Sequence, residues 1–362
     1  MIDKILKKYD DKTFVPSEGD LNNLNIIRSF FTEEGIAFDE DKDVCGLFRF
    51  NDMNGNAIEL RYVNSYCFPM DNSKRFGDKC KGVEHDYFYN ISRYNADRNI
   101  RVIWVFDFEM EQINDNVSYW SGKKGYHRQW EVIKNTIRTA TGRIRHRFRG
   151  GDFVIGEVDN KQLRLFLNTN CFYGYRSASI NLGLFLKKDK YGFKKGELMM
   201  VLTFGFNFYG NKKRGDDPFI EIIRASTRIG CQVIGGMSKL LKHFCLNYPE
   251  IEVGSGSGRH TIKVNELKFY CDASHNDGRG MSNSALAFRF DDWGYGFMNR
   301  YTEDVDADGL KGKKGEIFHR KPHYHKLIMK LIGEGKIISI ANAGTSVYSI
   351  TRNELLERFS AH

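Results

Sequence analysis

Four arginines at strict two-residue spacing are the feature of the sequence that most clearly needs a chemical partner. They lie in the stretch TGRIRHRFRGGDF, at Arg143, Arg145, Arg147 and Arg149. Because alternate side chains of a β-strand point to the same face, this spacing places the four guanidinium groups on one face of a strand. Like charges so close together repel one another, so the row needs an anionic partner or plentiful water. Nucleic-acid phosphates, which guanidinium groups contact bidentately, are the partner that this row predicts.

Further basic residues lie in segments that we expect to be turns. They are Lys187, Lys188, Lys194, Lys195, Lys212, Lys213, Arg214, Lys311, Lys313 and Lys314. The net charge of +9 is by itself a weak indicator of a nucleic-acid partner, and the placement of the charge says more. If the turns face one side, they add non-specific affinity for nucleic acid. The alternative is that each turn is simply solvated.

A glycine-containing segment indicates a phosphate site. FIEIIRASTRIGCQVIGGMSKLLKHF predicts a strand, a loop and a helix, with Gly235, Gly236 and Ser238 at the start of the helix. The free N–H groups and the dipole of a helix N-terminus favour a phosphate, and glycines allow a ligand to approach closely. The alternative is that the glycines form a tight turn and Ser238 caps the helix.

Two loop-like segments gather other reactive side chains. HRKPHYHK carries three histidines, and two of them, His323 and His325, would share a strand face that could suit a transition metal. Their basic neighbours disfavour a cation, so we interpret this segment as a surface that touches phosphate. CDASHNDGRG places Asp272, Ser274 and His275 together, but adjacent loop residues rarely reach the geometry of a catalytic triad. Loop capping is the preferred interpretation there.

The overall composition predicts a soluble protein of the cytosol. The 362 residues favour two domains, and 28 Phe, 18 Tyr and 4 Trp are ample for packed cores. The seven cysteines show no CxxC pair and no zinc-like spacing, which fits reduced thiols. No apolar run approaches the ~18 residues of a spanning helix, and the start of the chain lacks an apolar signal region. We expect no membrane contact.

The order of elements predicts an α/β (α+β) fold with two units, residues 1–148 and 149–362. In the first unit, a hairpin and the apolar strand IRVIWVFDF, expected to be central, combine with helices, one of them in HRQWEVIKNTIRTATG. In the second unit, a strand pair joined by the turn KDKYGFKKG precedes further strands, a helix and a closing hairpin. We expect a mixed sheet with flanking helices in each unit.

Five collinear runs of the second unit carry a family resemblance. They are NTNCFYGYRSASINLGLFLKK, GELMMVLTFG, FIEIIRAST, QVIGGMSKLLKHF and ELKFYCDAS. In this order they resemble the C-terminal half of a family of phage homing endonucleases, which is similar to the Mom DNA-modification proteins and, more distantly, to the GNAT acyltransferase fold. The positions that this resemblance makes important are Glu221, Arg224, Gly235, Gly236, Lys239 and Asp272.

The same resemblance implies a donor site in the second unit. In GNAT enzymes the loop between strand and helix binds the pyrophosphate of acyl-CoA. The residues expected to bind acyl-CoA or a similar donor here are Gln232, Gly235, Gly236, Ser238 and Lys239. The loop matches the usual Q-x-x-G-x-G/A signature only partly. Asp272 is the expected catalytic residue, and Arg224 is expected to contact nucleic acid.

The first unit resembles the nuclease domain of that family, which is related to very-short-patch repair endonucleases. The similarity lies in NAIELRYVNSYCF and VEHDYFYNISRYNADRNIRVIWVFDFEME. It implies that Glu59, Asp107 and Glu109 hold Mg²⁺ and catalyse phosphodiester hydrolysis. The alternative is that Asp107 and Glu109 merely polarise a strand end, while Glu59 pairs with a surface lysine or arginine.

The nuclease resemblance fails at two positions. The family's first aspartate falls near Phe48, and its histidine falls near Phe88. His85 and Asp86 lie three and two residues before Phe88, and either could substitute only if the register shifts. A nuclease domain retained only for DNA binding is therefore as well supported as an active one.

Three functions follow from these features. The first is a phage-type protein that binds duplex DNA and cleaves it with Mg²⁺ at Glu59, Asp107 and Glu109, with His85 nearby. The second is a Mom-like transferase with an acyl-CoA-type donor at 235–238 and Asp272 near the modified base. The third is a DNA-binding protein without catalysis. Duplex DNA is the expected partner, in the bacterial host cytosol. A structured RNA is the alternative, because positive charge that contacts phosphates binds both nucleic acids.

Overall fold

A computed structural model of the protein describes most of the chain. The described residues are 14–110, 129–206, 218–253, 259–276, 284, 286–294, 296–318 and 321–361. The fold is mixed α/β, as the order of elements predicts. No helix in these ranges is long and apolar enough to cross a membrane. Lys212, Lys213 and Arg214 lie outside the described residues.

The first sheet has four strands in the order β1-β2-β3-β4. Their bounds are β1 (Asp39–Glu40), β2 (Leu47–Asn51), β3 (Ala57–Val63) and β4 (Arg101–Phe106). β2 and β3 form the predicted antiparallel hairpin, and β4 runs parallel to β3. The helices around this sheet are α1 (Glu18–Glu33), α2 (Ser73–Phe76), α3 (Tyr87–Asp97), α4 (Asp107–Met110) and α5 (Gln129–Ala140). The predicted mixed sheet with flanking helices is confirmed for the first unit.

Helix α1 begins earlier than its apolar residues indicate. Ser17 and Asp20 form a capping box, in which each side chain accepts a hydrogen bond from the backbone N–H of the other. This cap satisfies two otherwise unpaired N–H groups, so the helix starts at Glu18. The apolar stripe that begins at Leu24 then packs in the core of the first unit.

Strand β4 lies at the end of its sheet, although its apolar sequence predicts a central strand. Five of its six residues are buried. Its free edge is covered, because the backbone N–H of Trp104 donates to the carbonyl oxygen of Ser274 at 2.8 Å. A turn from the far end of the chain thus replaces the neighbouring strand that the sequence pattern suggests.

The second sheet has seven strands in the order β14-β20-β13-β9-β8-β7-β6. Their bounds are β6 (Phe153–Glu157), β7 (Ile180–Leu186), β8 (Leu198–Phe206), β9 (Ile220–Thr227), β13 (Glu266–Asp272), β14 (Arg289–Gly294) and β20 (Thr345–Thr351). Strands β6 to β9 form an antiparallel meander, and β13 is parallel to β9. Helices α6 (Asn160–Asn170) and α7 (Gly236–Asn247) pack on this sheet in separate apolar clusters.

The remaining elements form short sheets and two C-terminal helices. The strands are β5 (His146–Arg149), β10 (Cys231–Ile234), β11 (Glu250–Val253), β12 (His260–Lys263), β15 (Phe297–Tyr301), β16 (Val305–Ala307), β17 (Leu310–Gly312), β18 (Ile317–Phe318) and β19 (Ile337–Ala341). The helices are α8 (His325–Glu334) and α9 (Arg352–Ser360). Strand β5 pairs in parallel with β10, so the segment at the predicted boundary of the two units is anchored to the second unit.

A late part of the chain packs on the first unit. Met298, Ile317 and Ile340 belong to the same apolar cluster as Phe106. The backbone N–H of Met70 donates to the carbonyl oxygen of Ser339 at 2.7 Å. The boundary at 148/149 stays a prediction, and the first core includes residues from both sides of it.

Candidate functional site

The four arginines of the row are exposed, but the strand that their spacing predicts holds only the last two of them. Arg147 and Arg149 lie on β5, and Arg143 and Arg145 precede it. All four side chains are exposed, whereas Ile144 and Phe148 are 6% and 0% exposed. The alternation that the spacing predicts is therefore present in the structure. Burial of the intervening apolar residues holds the four guanidinium groups on the solvent side.

Within the described ranges, no carboxylate compensates the charges of the arginine row. Arg143 Nη2 donates to the carbonyl oxygen of Gly35 at 2.8 Å, and Arg147 Nη2 donates to that of Gly142 at 3.1 Å. No carboxylate among the described residues forms an ion pair with any of the four arginines. The row thus presents net positive charge to any ligand that approaches.

The end of the row meets the start of helix α7. In the β5–β10 register, Arg147 lies beside Gln232 and Arg149 beside Ile234. Lys239 Nζ donates to the carbonyl oxygens of Gly150 and Phe153, at 2.7 and 2.6 Å. Two hydrogen bonds from the Lys239 ammonium therefore connect helix α7 to Gly150 and Phe153, which follow the arginine row.

Glycine is required at Gly235 and at Gly236, the N-cap and the first residue of α7, for two different physical reasons. Gly235 has a φ of +73°, which favours glycine, and a Cβ there would meet nothing within 4 Å. Gly236 is buried, and a Cβ there would lie 2.6 Å from Val233 Cγ1 and 2.7 Å from Met200 Sδ. Gly236 is thus required by packing, and Gly235 by the turn. Ser238 does not cap the helix, because the N-cap is Gly235 and has no side-chain hydrogen bond.

The residues at this helix start fit a phosphate in charge and in donor type. The N-cap leaves the first backbone N–H groups of α7 without a side-chain acceptor, and Arg149 lies one register position before Gly235. Burial, and then the neighbouring Lys187, lower the pKa of Lys239. Two cations close to a helix N-terminus suit an anionic group. The donor site at Gln232, Gly235, Gly236, Ser238 and Lys239 stays a prediction.

Glu59 is held by arginines. Its Oε2 accepts from Arg61 Nε and Nη2 at 2.9 and 2.7 Å, and from Asn95 Nδ2 at 3.2 Å. Its Oε1 accepts from Arg49 Nε at 3.3 Å. Both oxygens of this buried carboxylate are therefore engaged by positive or amide donors, as in the alternative interpretation of the sequence.

Asp107 belongs to a buried ion pair. Arg300 Nη1, from β15, donates to Asp107 Oδ2 at 2.5 Å and to Ser65 Oγ at 2.7 Å. The backbone N–H of Ser65 donates to Asp107 Oδ1 at 3.1 Å. The Arg300 guanidinium also lies over the Tyr66 ring, 4.3 Å from its centroid. Asp107 thus joins the first sheet to the late strand β15.

The structure does not assemble a magnesium site from the predicted carboxylates. Phe48 and Phe88, at the places of the family's aspartate and histidine, are fully buried in the aromatic core. His85 lies exposed in the turn before α3. Within the described ranges, no three His, Cys, Asp or Glu side chains are placed to hold one metal ion. With their oxygens engaged as above, Glu59 and Asp107 do not fit Mg²⁺.

Glu109 instead joins a buried cluster with residues of the second unit. His275 Nε2 lies 3.2 Å from Glu109 Oε2, and His275 Nδ1 lies 3.2 Å from Asp272 Oδ2. The Tyr173 hydroxyl donates to the same Asp272 oxygen. We call these four residues, Tyr173, Asp272, His275 and Glu109, the acid–base cluster.

Backbone groups orient the acid–base cluster. The N–H of Phe106 donates to Glu109 Oε2 at 2.9 Å, and that of Ser274 to Asp272 Oδ1 at 2.8 Å. Phe172 covers the His275 ring, with centroids 4.1 Å apart. The cluster forms where the ends of β4 and β13 meet, because Asp272 is the last residue of β13 and Glu109 follows β4 closely.

The electrostatics of the cluster keep His275 protonated. Burial alone would lower the pKa of His275, but Glu109 and then Asp272 raise it to about 10. Burial raises the pKa of Glu109, and the positive charge of His275 opposes that shift. Both ring nitrogens can then donate, one to each carboxylate. His275 is therefore a buried cation between two carboxyl groups.

Arg224 lies beside the acid–base cluster and not in the arginine row. Strands β9 and β13 pair only from Ile220 to Ile222 on β9, and an unmatched Ile223 makes a bulge before Arg224. Arg224 Nε donates to the carbonyl oxygen of Gly174 at 3.0 Å, and its guanidinium lies 5.7 Å from the Tyr173 ring centroid. Burial, and to a lesser degree Arg176, lower the pKa of Arg224.

Two buried polar atoms near Arg224 have no hydrogen-bond partner in the part of the chain that the structure describes. Asn181, Thr203 and Arg224 lie opposite one another on three adjacent strands, so their side chains share one face of the sheet. Asn181 Oδ1 and Thr203 Oγ1 are buried without a hydrogen bond among the described residues. Buried polar groups are nearly always paired, so this face offers polar contacts beside Arg224.

The structure brings together only part of the predicted site. It joins Glu109 to Asp272 and places Arg224 next to them, but it leaves Glu59 and Asp107 in separate ion pairs. Tyr173 is the residue that the sequence interpretation missed, whereas His275 was named there and assigned to loop capping. The Asp272-x-x-His275 spacing was the available signal, and a loop cap was the preferred explanation of it. Tyr173 carried no signal of its own.

Two comparisons with known proteins gave no match for this chain. No family model matches the chain, and no curated protein matches it. The resemblance to phage homing endonucleases and Mom proteins stays a prediction from the motifs.

Proposed function

We propose that this protein binds nucleic acid through the arginine row, with duplex DNA as its partner. One observation carries the proposal. The four arginines, which alternate along residues 143–149, are exposed and have no carboxylate partner in the described part of the chain. Such a row attracts phosphates at a distance and binds them bidentately on contact. A location in the bacterial host cytosol belongs to the same proposal.

The length of the row matches several phosphates. Arg147 and Arg149, two residue steps apart on β5, are separated by about 7 Å at a strand rise of ~3.3 Å per residue, and Arg143 and Arg145 lie just before the strand. A duplex carries one phosphate charge per ~3.4 Å of axis on each strand, so contact with up to four phosphates is geometrically reasonable. The backbone contacts would position the duplex without reading its sequence.

The test replaces all four arginines of the row by glutamine. We expect duplex affinity at about 0.1 M salt to fall by roughly 100- to 1,000-fold, because up to four phosphate contacts are lost. The matched control replaces the exposed Lys311, Lys313 and Lys314 by glutamine and keeps near wild-type affinity. Unchanged binding by the arginine variant, in an otherwise folded protein, would refute the proposal.

A second candidate function is transfer of a group to the bound DNA, and the acid–base cluster favours it. Asp272 Oδ2 accepts a hydrogen bond from the Tyr173 hydroxyl, and the His275 ring lies against the same oxygen. Asp272 Oδ2 thus holds the Tyr173 hydroxyl in place, while Arg224 provides positive charge near the Tyr173 ring. An acyl-CoA-type donor, when bound, supplies the transferred group.

Metal-dependent cleavage is the alternative chemistry, and one experiment separates the two. Plasmid DNA is incubated with the protein and Mg²⁺, or with EDTA and acetyl-CoA, and examined by gel and by nucleoside mass spectrometry. We expect intact DNA and a modified nucleoside that is lost in Asp272→Asn and kept in Asp308→Asn, a matched change at an exposed aspartate. Metal-dependent nicking that is lost in Glu59→Gln would instead establish the nuclease function.

A further inference from the structure

The turn between β2 and β3 is held in one conformation by hydrogen bonds. The backbone N–H of Asp52 donates to the carbonyl oxygen of Asn56 at 2.8 Å, and that of Gly55 donates to the carbonyl oxygen of Asp52 at 3.1 Å. Asp52 Oδ1 accepts from the backbone N–H groups of Asn54 and Asn56, each at 2.8 Å. The Asp52 carboxylate is thus engaged within the turn, and the backbone of the turn is set before any ligand binds.

The turn presents two different side chains to solvent. Met53 is 60% exposed. Asn54 is exposed, and its side-chain amide forms no hydrogen bond with a described residue. A Cβ at Gly55 would meet nothing within 4 Å, so the space beside the turn is open. We call Met53 and Asn54 the hairpin tip, in which an apolar group and a free amide are neighbours.

The hairpin tip lies beside the arginine row. The backbone N–H of Met53 donates to the carbonyl oxygen of Ala140 at 3.0 Å. A Cβ at Gly142 would lie 3.4 Å from Met53 Cβ and 3.5 Å from Arg147 Nη2. The same Arg147 nitrogen donates to the carbonyl oxygen of Gly142. Met53 and the Arg147 guanidinium are therefore close neighbours on one surface, next to the position where Arg143 follows Gly142.

We propose that Met53 and Asn54 contact base edges in the major groove of a bound duplex and favour A·T pairs. The inference rests on the proposed duplex binding and adds the sequence preference that phosphate contacts do not supply. An asparagine amide can donate to and accept from the major-groove edge of adenine, and an apolar side chain packs against the methyl group of thymine. A phosphate held at Arg147 lies at the border of a groove, so the hairpin tip beside it is placed to reach the bases.

The test measures affinity for two blunt duplexes of equal length, one of A·T pairs only and one of G·C pairs only. We expect the wild type to bind the A·T duplex about 5- to 150-fold more tightly. In Asn54→Ala this preference should fall to about twofold or less, while affinity for the G·C duplex is kept. Asn54→Ala and Met53→Ala change exposed side chains, so their melting temperatures should match that of the wild type.

Modified bases identify the groove and the atoms that are contacted. 7-Deazaadenine lacks the N7 acceptor of adenine, and uracil lacks the methyl group of thymine, and both groups lie in the major groove. 7-Deazaadenine should weaken binding by the wild type but not by Asn54→Ala. Uracil should weaken binding by the wild type but not by Met53→Ala. Equal effects of these bases on the wild type and the variants would overturn the inference.

Two matched controls and the arginine-row variant keep the two proposals separable. Asn22→Ala changes an exposed asparagine on α1, and Leu165→Ala changes a leucine on α6 that is 63% exposed. Both should keep the wild-type affinities. A preference that is absent in the wild type, or that persists in Asn54→Ala, would overturn the inference alone, provided that glutamine at all four arginines weakens duplex binding. If that variant binds the duplex like the wild type, the proposed function fails together with the inference.

Discussion

The acid–base cluster depends on His275 because its charge lies between two buried carboxyl groups. His275 is 8% exposed, and both of its ring nitrogens face a carboxylate oxygen at 3.2 Å. A buried charge pair adds little net stability by itself, but removing one partner leaves an uncompensated charge. Replacing His275 alone is therefore expected to lower the free energy of unfolding substantially.

We predict that His275→Gln destabilises the protein by about 3–5 kcal/mol, because Glu109 and Asp272 are left close together without a cation. Urea unfolding of the two proteins measures the difference. His323→Gln, at an exposed histidine, is the control and should change stability by less than about 0.5 kcal/mol. A loss in His275→Gln no larger than that of the control would mean that the cluster is not ionised as described.

The raised pKa of His275 predicts how stability changes with pH. Protonated His275 stabilises the folded state, and its pKa is about 10 when folded against an ordinary value of 6.5. The folded state binds more protons between these values, so this stability is complete below about pH 6.5 and is lost as pH rises towards 10. The raised pKa of Glu109 acts in the same direction at lower pH.

Unfolding free energies measured from pH 6 to 10 test this dependence. We expect the wild type to lose stability with rising pH and the His275→Gln variant to show a flatter profile. Parallel profiles for the two proteins would contradict a raised pKa at His275.

At the scale of single elements, the strand β5 was predictable but its partner was not. The two-residue spacing of the arginines and the apolar residues between them indicate a strand with one solvent face. The parallel pairing with β10 joins residues 146–149 to 231–234, and no periodicity in the sequence signals that register. The same limit applies to Tyr191, whose turn between β7 and β8 was predicted from its lysines and glycine while its contact with β5 was not.

The two glycines at the start of α7 give a prediction about packing. Gly236→Ala should destabilise the protein by about 1–3 kcal/mol, because the added Cβ would lie within 3 Å of Val233 and Met200. Gly235→Asn should be nearly neutral, since asparagine tolerates a positive φ and the Cβ meets open space. Thermal unfolding of both variants measures this order. Equal melting temperatures would show that Gly236 is not held by packing.

At the scale of the whole molecule, the fold class was predictable and the long-range assembly was not. Apolar periodicity and turn residues indicate two mixed sheets with helices, and both are present. The return of the chain to the first sheet through β15 and β19 brings Arg300 to Asp107. The turn at 273–275 covers β4 and forms the acid–base cluster. Such contacts join residues more than 160 positions apart, and a local sequence pattern does not predict them.

This assembly explains why the predicted carboxylates divided into separate sites. Glu59 lies within a hairpin that supplies its own arginines, so its partners are local. Asp107 and Glu109 follow a strand that meets late segments of the chain, so their partners are distant. The sequence interpretation grouped all three by resemblance alone, and the packing of residues 272–300 decides their surroundings.

The central claim, that the arginine row binds nucleic-acid phosphates, is tested most directly by the salt dependence of duplex binding. Duplex affinity is measured by fluorescence anisotropy across a series of salt concentrations for the wild type and for the variant with glutamine at all four arginines. With up to four phosphate contacts removed, the slope of log K against log salt should be less negative by about 3 to 4 in the variant. Equal slopes for the two folded proteins would contradict the claim, because the row would then release no counterions when DNA binds.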